Sequence, residues 1–227
     1  MHKHFAKALF NVLLILAIPS TATLAAETNK LLYWNELVPA YEPIENPFEE
    51  FTYQQIDALR ELSKLEAMLS QIDSAQEHLV LEQIQTIKKN LAADGLDAGL
   101  LLELRKQIIA QNTKIARSAN LHVVGKKQRI PGFVTPIEME GTLVTEFFLV
   151  PTPGACIHTP PPAPNQIIHV VYPEGFQLDN IREPMVIEGK LITEKNVKDV
   201  SYSDGAANVN SIYSMSAISV TNYDDEK

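Results

Sequence analysis

Side chains able to do chemistry concentrate in one stretch, Gly154-Ala155-Cys156-Ile157-His158-Thr159-Pro160-Pro161-Pro162-Ala163-Pro164-Asn165-Gln166. Extended backbone sends residues i and i+2 to the same face with roots about 7 Å apart, so the Cys156 thiol and the His158 imidazole fall side by side. Thiolate with imidazole suits zinc or copper(I), and zinc is the cofactor expected. A closed site takes about four donors, and the motif brings two. The others must come from elsewhere. The candidates are Glu138 or Glu140 from the preceding hairpin and His169 from the following strand, none of them fixed by spacing. Two other readings of the pair are open. An adjacent imidazole lowers a thiol's pKa and raises its reactivity, which would make Cys156 a nucleophile. Alternatively Cys156 is buried and inert beside a hydrogen-bonded histidine. Neighbours at i and i+2 rarely meet at hydrogen-bond distance, and no oxyanion-binding loop is evident.

The prolines that follow lack the N–H donor of a central strand, so 159–164 is expected as a stiff polyproline segment that caps a barrel edge or walls a pocket. Pro160, Pro161 and Pro162, with the amides of Asn165 and Gln166, are the expected interaction residues, through groove recognition by a partner or by satisfying nearby backbone. His78 and His122 have no neighbour at ligand spacing. Paired carboxylates suited to hydrolysis, a phosphate-cradling glycine loop and a Gly-x-Ser-x-Gly elbow are all missing, so a non-enzymatic role is expected.

The elements that must position this stretch change character near Asn120. From about 52 to 92 apolar residues recur at three and four: Ile56, Leu59, Leu62, Leu65, Leu69, Ile72, then Leu79, Ile84, Ile87, Leu91. That spacing predicts amphipathic helix, with a break near Asp73-Ser74 and a stop at Ala93-Asp94-Gly95. A further helix is predicted over 97–118, its apolar side carrying Leu100, Leu101, Leu104, Ile108 and Ile115. The stripes can close on one another, and part of them can cover a downstream sheet. Beyond Asn120 the period falls to two. Strands are predicted at 128–138, 143–150, 167–171, 184–194 and 211–223. The fold class expected is α+β, with two or three N-terminal helices packed on a small antiparallel OB-like β-barrel, an open sandwich being the alternative. Upstream, Leu31 to Pro39 reads as a short apolar anchor holding the single Trp, Trp34, against the domain, followed by a Pro-rich acidic connection over 40–50.

The first residues carry Lys3 and Lys7, then an apolar run of roughly eleven residues that ends at Pro19-Ser20, too short for the ~20 residues of a membrane span. Small residues follow, and Thr23 and Ala25 fit the small-x-small rule. A cleavable signal peptide over 1–25 is therefore expected, with a mature helical region over 26–119, a barrel domain over 120–227, and the periplasm as destination. No cysteine stands at the junction to take a lipid anchor. The formal net charge of −9 argues against a nucleic-acid partner, and one cysteine precludes an internal disulfide.

Three stretches carry a family likeness: Lys126-Lys127-Gln128-Arg129-Ile130-Pro131-Gly132-Phe133-Val134-Thr135-Pro136-Ile137-Glu138, Phe147-Phe148-Leu149-Val150-Pro151, and Gly154 through Gln166. With Trp34-Asn35-Glu36-Leu37-Val38-Pro39, Gly95-Leu96-Asp97, Glu188-Gly189-Lys190-Leu191 and Tyr213-Ser214-Met215, they resemble domain-of-unknown-function family 3299 across nearly the whole mature chain. What the resemblance implies is an exported bacterial protein, often encoded beside an ABC-type transporter of the macrolide-exporter kind and sometimes alongside zinc-responsive genes. An ABC-type transporter or another envelope protein is thus the partner the resemblance implies.

Overall fold

The structure is a computed structural model that describes residues 30–69, 71–154, 162–202 and 205–226. The predicted signal segment and the residues from Ala155 to Pro161, Cys156, His158, Pro160 and Pro161 among them, lie outside the described residues.

Three helices come first, each bounded as its sequence dictates. α1 (Tyr53–Met68) starts at a capping box in which Thr52 Oγ1 accepts from the Gln55 N–H and Gln55 Oε1 accepts from the Thr52 N–H. α2 (Ser74–Ala93) stops at Gly95, whose φ of 79° lets the Leu96 N–H turn back to the Leu91 carbonyl. Asp97 then caps α3 (Ala98–Ala116) by accepting from the Leu100 N–H. Leu59, Leu62 and Leu65 pack with Ile84, Leu91, Ala98, Leu101 and Leu102, so the helices close on one another around a core of their own. The predicted stripe is corrected at two positions. Leu79 and Leu100 are exposed. Burial in α3 follows the 98, 101, 102 stripe, and residue 100 lies a helical step of about 100° off it.

Five strands follow: β1 (Lys127–Glu140), β2 (Leu143–Val150), β3 (Ile168–Gln177), β4 (Met185–Tyr202) and β5 (Gly205–Asn222). They close into a barrel in the order β1-β2-β3-β5-β4. Four pairings are antiparallel and β3 with β5 is parallel, so the barrel is mixed. β1 serves both sides of the closure, pairing β4 through Lys127–Gly132 and β2 from Phe133 onward. Gly132 sits at that handover. A Cβ there would stand 2.9 Å from Leu149 Cγ, Trp34 Cζ2 and the Val150 carbonyl oxygen, so only glycine fits.

Alternation fills the interior with Ile130, Val134, Phe147, Leu149, Ile168, Val170, Ile187, Leu191 and Met215. The N-terminal anchor joins this core through Leu32 and Leu37, and the Leu32 N–H donates to the Arg129 carbonyl. Trp34 packs on the barrel as expected, its indole N–H donating to the Pro131 carbonyl at 2.7 Å. Tyr213 ties three segments together. Its hydroxyl donates to the Leu37 carbonyl at 2.7 Å and accepts from the Asn120 N–H at 2.6 Å. Burial pushes the Tyr213 phenol pKa up, outweighing the Asn120 N–H, which acts the other way.

Candidate site at the loop between β2 and β3

β2 and β3 form the hairpin that carries the Cys-x-His loop, and Leu149 pairs with Ile168 at its root. Because successive strand residues alternate, Glu146, Phe148 and Val150 on β2 share the outer face with Ile167 and His169. That outer face is buried as well. Phe148, Val150, Ile167 and Val209 are fully covered and pack with Phe133 and Ile137.

Val209 and Lys198 belong to the distal half of the long β4–β5 hairpin, where they are register partners. Lys198 Nζ lies 2.8 Å from Glu146 Oε1, and Val209 packs beside Phe148. These contacts lay the hairpin arm against the outer face of β2. The arm extends β4 past the expected end at 194 and β5 back from the expected start at 211; it is polar on β4 and small on β5, which weakens the period-two signal.

Under the arm sits a small polar cluster. His169 is buried, its Nε2 2.7 Å from Glu146 Oε1 and its Nδ1 3.4 Å from Ser214 Oγ, with the Phe148 ring edge-on to the imidazole. Glu146 thus holds an imidazole and an ammonium at once. Burial pushes its carboxyl pKa up, but the hydrogen bonds from Lys198 and His169, with the Lys198 charge, outweigh it, leaving the pKa below the ordinary carboxylate value. Ser211 Oγ is buried with no hydrogen-bond partner among the described residues. Thr135 and Ser214 are the other buried polar residues of the barrel strands among the described residues.

The predicted site residues separate into three groups. Cys156, His158, Pro160 and Pro161 lie outside the described residues. His169 stands on the outer face two residues beyond Ile167, about 7 Å along the strand from the loop's return. Glu138 is exposed and is the register partner of Glu146; its charge helps to raise the Lys198 pKa, after the hydrogen bond that Lys198 donates to Glu146. Among the described residues no three His, Cys, Asp or Glu side chains are grouped to hold an ion. Any metal held here needs donors from the loop.

Asn165 and Gln166 are engaged within the chain. Asn165 is buried and its Nδ2 donates to the Ile115 carbonyl at 2.9 Å, a second donor to a carbonyl at the end of α3 that also accepts from the Ser118 N–H. Gln166 Nε2 donates to the Trp34 carbonyl at 3.1 Å. The short turn Pro164–Gln166 therefore links barrel, helical region and N-terminal anchor, and Pro162 beside it is half-buried.

Glu146 is not among the carboxylates that the sequence offers as donors, Glu138 and Glu140. One signal could have found it: an acidic residue on the face that also carries Phe148 and Val150 needs a charged partner, and His169 lies on the strand paired with it.

No helix among the described residues is long and apolar enough to cross a membrane. No curated protein matches this chain. Among solved structures, a crystal structure of a DUF3299 family protein from Pseudomonas aeruginosa PAO1 is similar at 25% identity, covering 86% of this chain and 95% of that one, with a TM-score of 0.44. The family model described as protein of unknown function (DUF3299) matches residues 34–222, from Trp34 in the anchor to the end of β5, and the chain belongs to that family.

Proposed function

We propose that this chain is a non-enzymatic accessory protein of the periplasm that binds a transition-metal ion, zinc first, at the β2–β3 loop and serves an ABC-type transport system. Cys156 and His158 supply thiolate and imidazole, and His169 is the third donor. The observation that carries this reading is the setting of His169. Glu146 holds its Nε2 at 2.7 Å, leaving Nδ1 with only the 3.4 Å approach of Ser214. A carboxylate that fixes one ring nitrogen and leaves the other as donor is the usual support of a histidine ligand. The imidazole also stands on the strand that receives the loop, on the face shared with Ile167. Export is supported by the charged, apolar and small-residue segments at the N-terminus. The transport association rests on the family likeness described above.

A second reading takes its support from the same histidine. Both ring nitrogens have partners within the protein, and Asn165 and Gln166 are occupied internally, which suits an interaction module of the envelope whose loop is structural.

Metal analysis separates the two. The exported protein is purified as wild type, Cys156→Ser and His158→Ala, equilibrated with zinc, freed of excess and measured. About one zinc per chain in the wild type, lost in both variants, supports the metal reading; no zinc in the wild type leaves the interaction module.

A further inference from the structure

We propose that the groove between α1 and α3 is a binding site for a single-chain anionic amphiphile, an acyl chain ending in a carboxylate. α1 turns Leu59, Leu62 and Leu65 into the helical core. Its neighbouring face, carrying Ile56, Arg60, Ser63 and Ala67 at helical spacing, is opposed by Phe48 and Arg105 rather than by a packed helix. The small side chains of Ser63 and, near the C-terminal end of α1, Ala67 leave a hollow of about 550 Å³. That volume falls in the small-molecule range of about 300–1,000 Å³.

The lining fits one class of occupant. Phe48, Ile56 and Leu59 supply an apolar floor, and the rim carries Arg60, Lys64 and Arg105 with no acidic residue, in a chain of net charge −9. Two of these cations have a carboxylate one turn back outside the groove: Arg60 bonds Asp57 at 2.5 Å and Lys64 lies 3.8 Å from Glu61. Arg105 makes no side-chain hydrogen bond or ion pair with the described residues, so its planar fork is available to a carboxylate. A partner helix, about 10–12 Å across with its side chains, would need a broader apolar stripe than this narrow floor between cations. A single acyl chain needs no more than the floor and one anion contact.

The test is titration calorimetry of the exported protein with sodium dodecanoate at neutral pH, below its micelle-forming concentration. The expected result is saturable binding of one dodecanoate per chain. Arg105→Gln should weaken it about tenfold or more, as loss of a hydrogen bond to a charged group implies. Ser63→Phe, which fills the hollow, should abolish it, and dodecyltrimethylammonium should not bind. Arg105 is on the surface, so its variant should keep the wild-type melting curve; if Ser63→Phe unfolds, the decision falls to Arg105→Gln and to weaker binding of hexanoate. The proposal is overturned by no saturable binding, by equal affinity in Arg105→Gln, or by equal or tighter binding of the cationic analogue. It is overturned equally if the groove is taken by a second copy of the chain or by an acidic amphipathic peptide while dodecanoate fails to bind.

Discussion

Replacing Tyr213 by Phe removes a single oxygen from the place where the N-terminal anchor, the Asn120 turn and β5 meet. That oxygen makes two hydrogen bonds, donating to the Leu37 carbonyl and accepting from the Asn120 N–H. Tyr213 and Leu37 are fully buried, so the Leu37 carbonyl is left without a partner inside the core. An unsatisfied buried group of this kind destabilises by about 1–3 kcal/mol. The Asn120 N–H is only partly buried, and its loss adds about 0.5–1.5 kcal/mol. The sum, about 1.5–4.5 kcal/mol, lowers the melting temperature by about 3–18 °C for a domain of this size. Circular dichroism melts of the purified protein measure it, and Tyr172→Phe, whose hydroxyl bonds the exposed Glu174, is the control expected within about 0.5 kcal/mol of wild type. A second arm uses pH. Burial holds the folded-state phenol pKa of Tyr213 above its unfolded value of about 10, so its contribution is complete below pH 10 and is lost as pH rises through the folded value. Tyr213→Phe should lack that part of the alkaline loss. A Tyr213→Phe variant within about 0.5 kcal/mol of wild type, with the same alkaline slope, would refute the assignment of Tyr213 as the tie.

Further outcomes follow from particular contacts. Gly132→Ala places a methyl 2.9 Å from Trp34, Leu149 and the Val150 carbonyl, and should destabilise by about 1–3 kcal/mol in urea while shifting the emission of the single tryptophan to the red. Glu146→Gln removes the carboxylate that holds both Lys198 and His169; amides of the distal β4–β5 hairpin should exchange faster, with about 1–3 kcal/mol lost, whereas those of Ile168 and Val170 in the barrel should keep their protection relative to global unfolding. Thr52→Ala breaks the α1 capping box and should lower stability by about 1 kcal/mol, an effect absent in Thr52→Ser.

The helices were legible because local rules wrote them. The three-and-four spacing placed all three, and Thr52, Gly95 and Asp97 are cap residues recognisable without a structure. Which side of α3 is buried was not legible, because Leu100, Leu101 and Leu102 in a row leave the stripe ambiguous until α1 and α2 are in place. Strands β1 and β2 were readable from alternation and turn residues. The parallel pairing of β3 with β5 was not, since it depends on how the barrel closes rather than on either strand alone. The length of the β4–β5 arm was missed for a similar reason: Lys198 and Val209 owe their places to Glu146 and Phe148, residues about fifty and sixty positions earlier. At the candidate site, His169 is a candidate by residue type alone, whereas its contact with Glu146 depends on cross-strand register.

The most direct test of the proposed metal site is X-ray absorption at the zinc edge of the purified protein loaded with one equivalent. One sulfur near 2.3 Å and two nitrogens near 2.0–2.1 Å are expected, with the sulfur shell gone in Cys156→Ser. A shell of oxygen and nitrogen alone, unchanged by Cys156→Ser, would contradict the assignment of Cys156, His158 and His169 as the ligands.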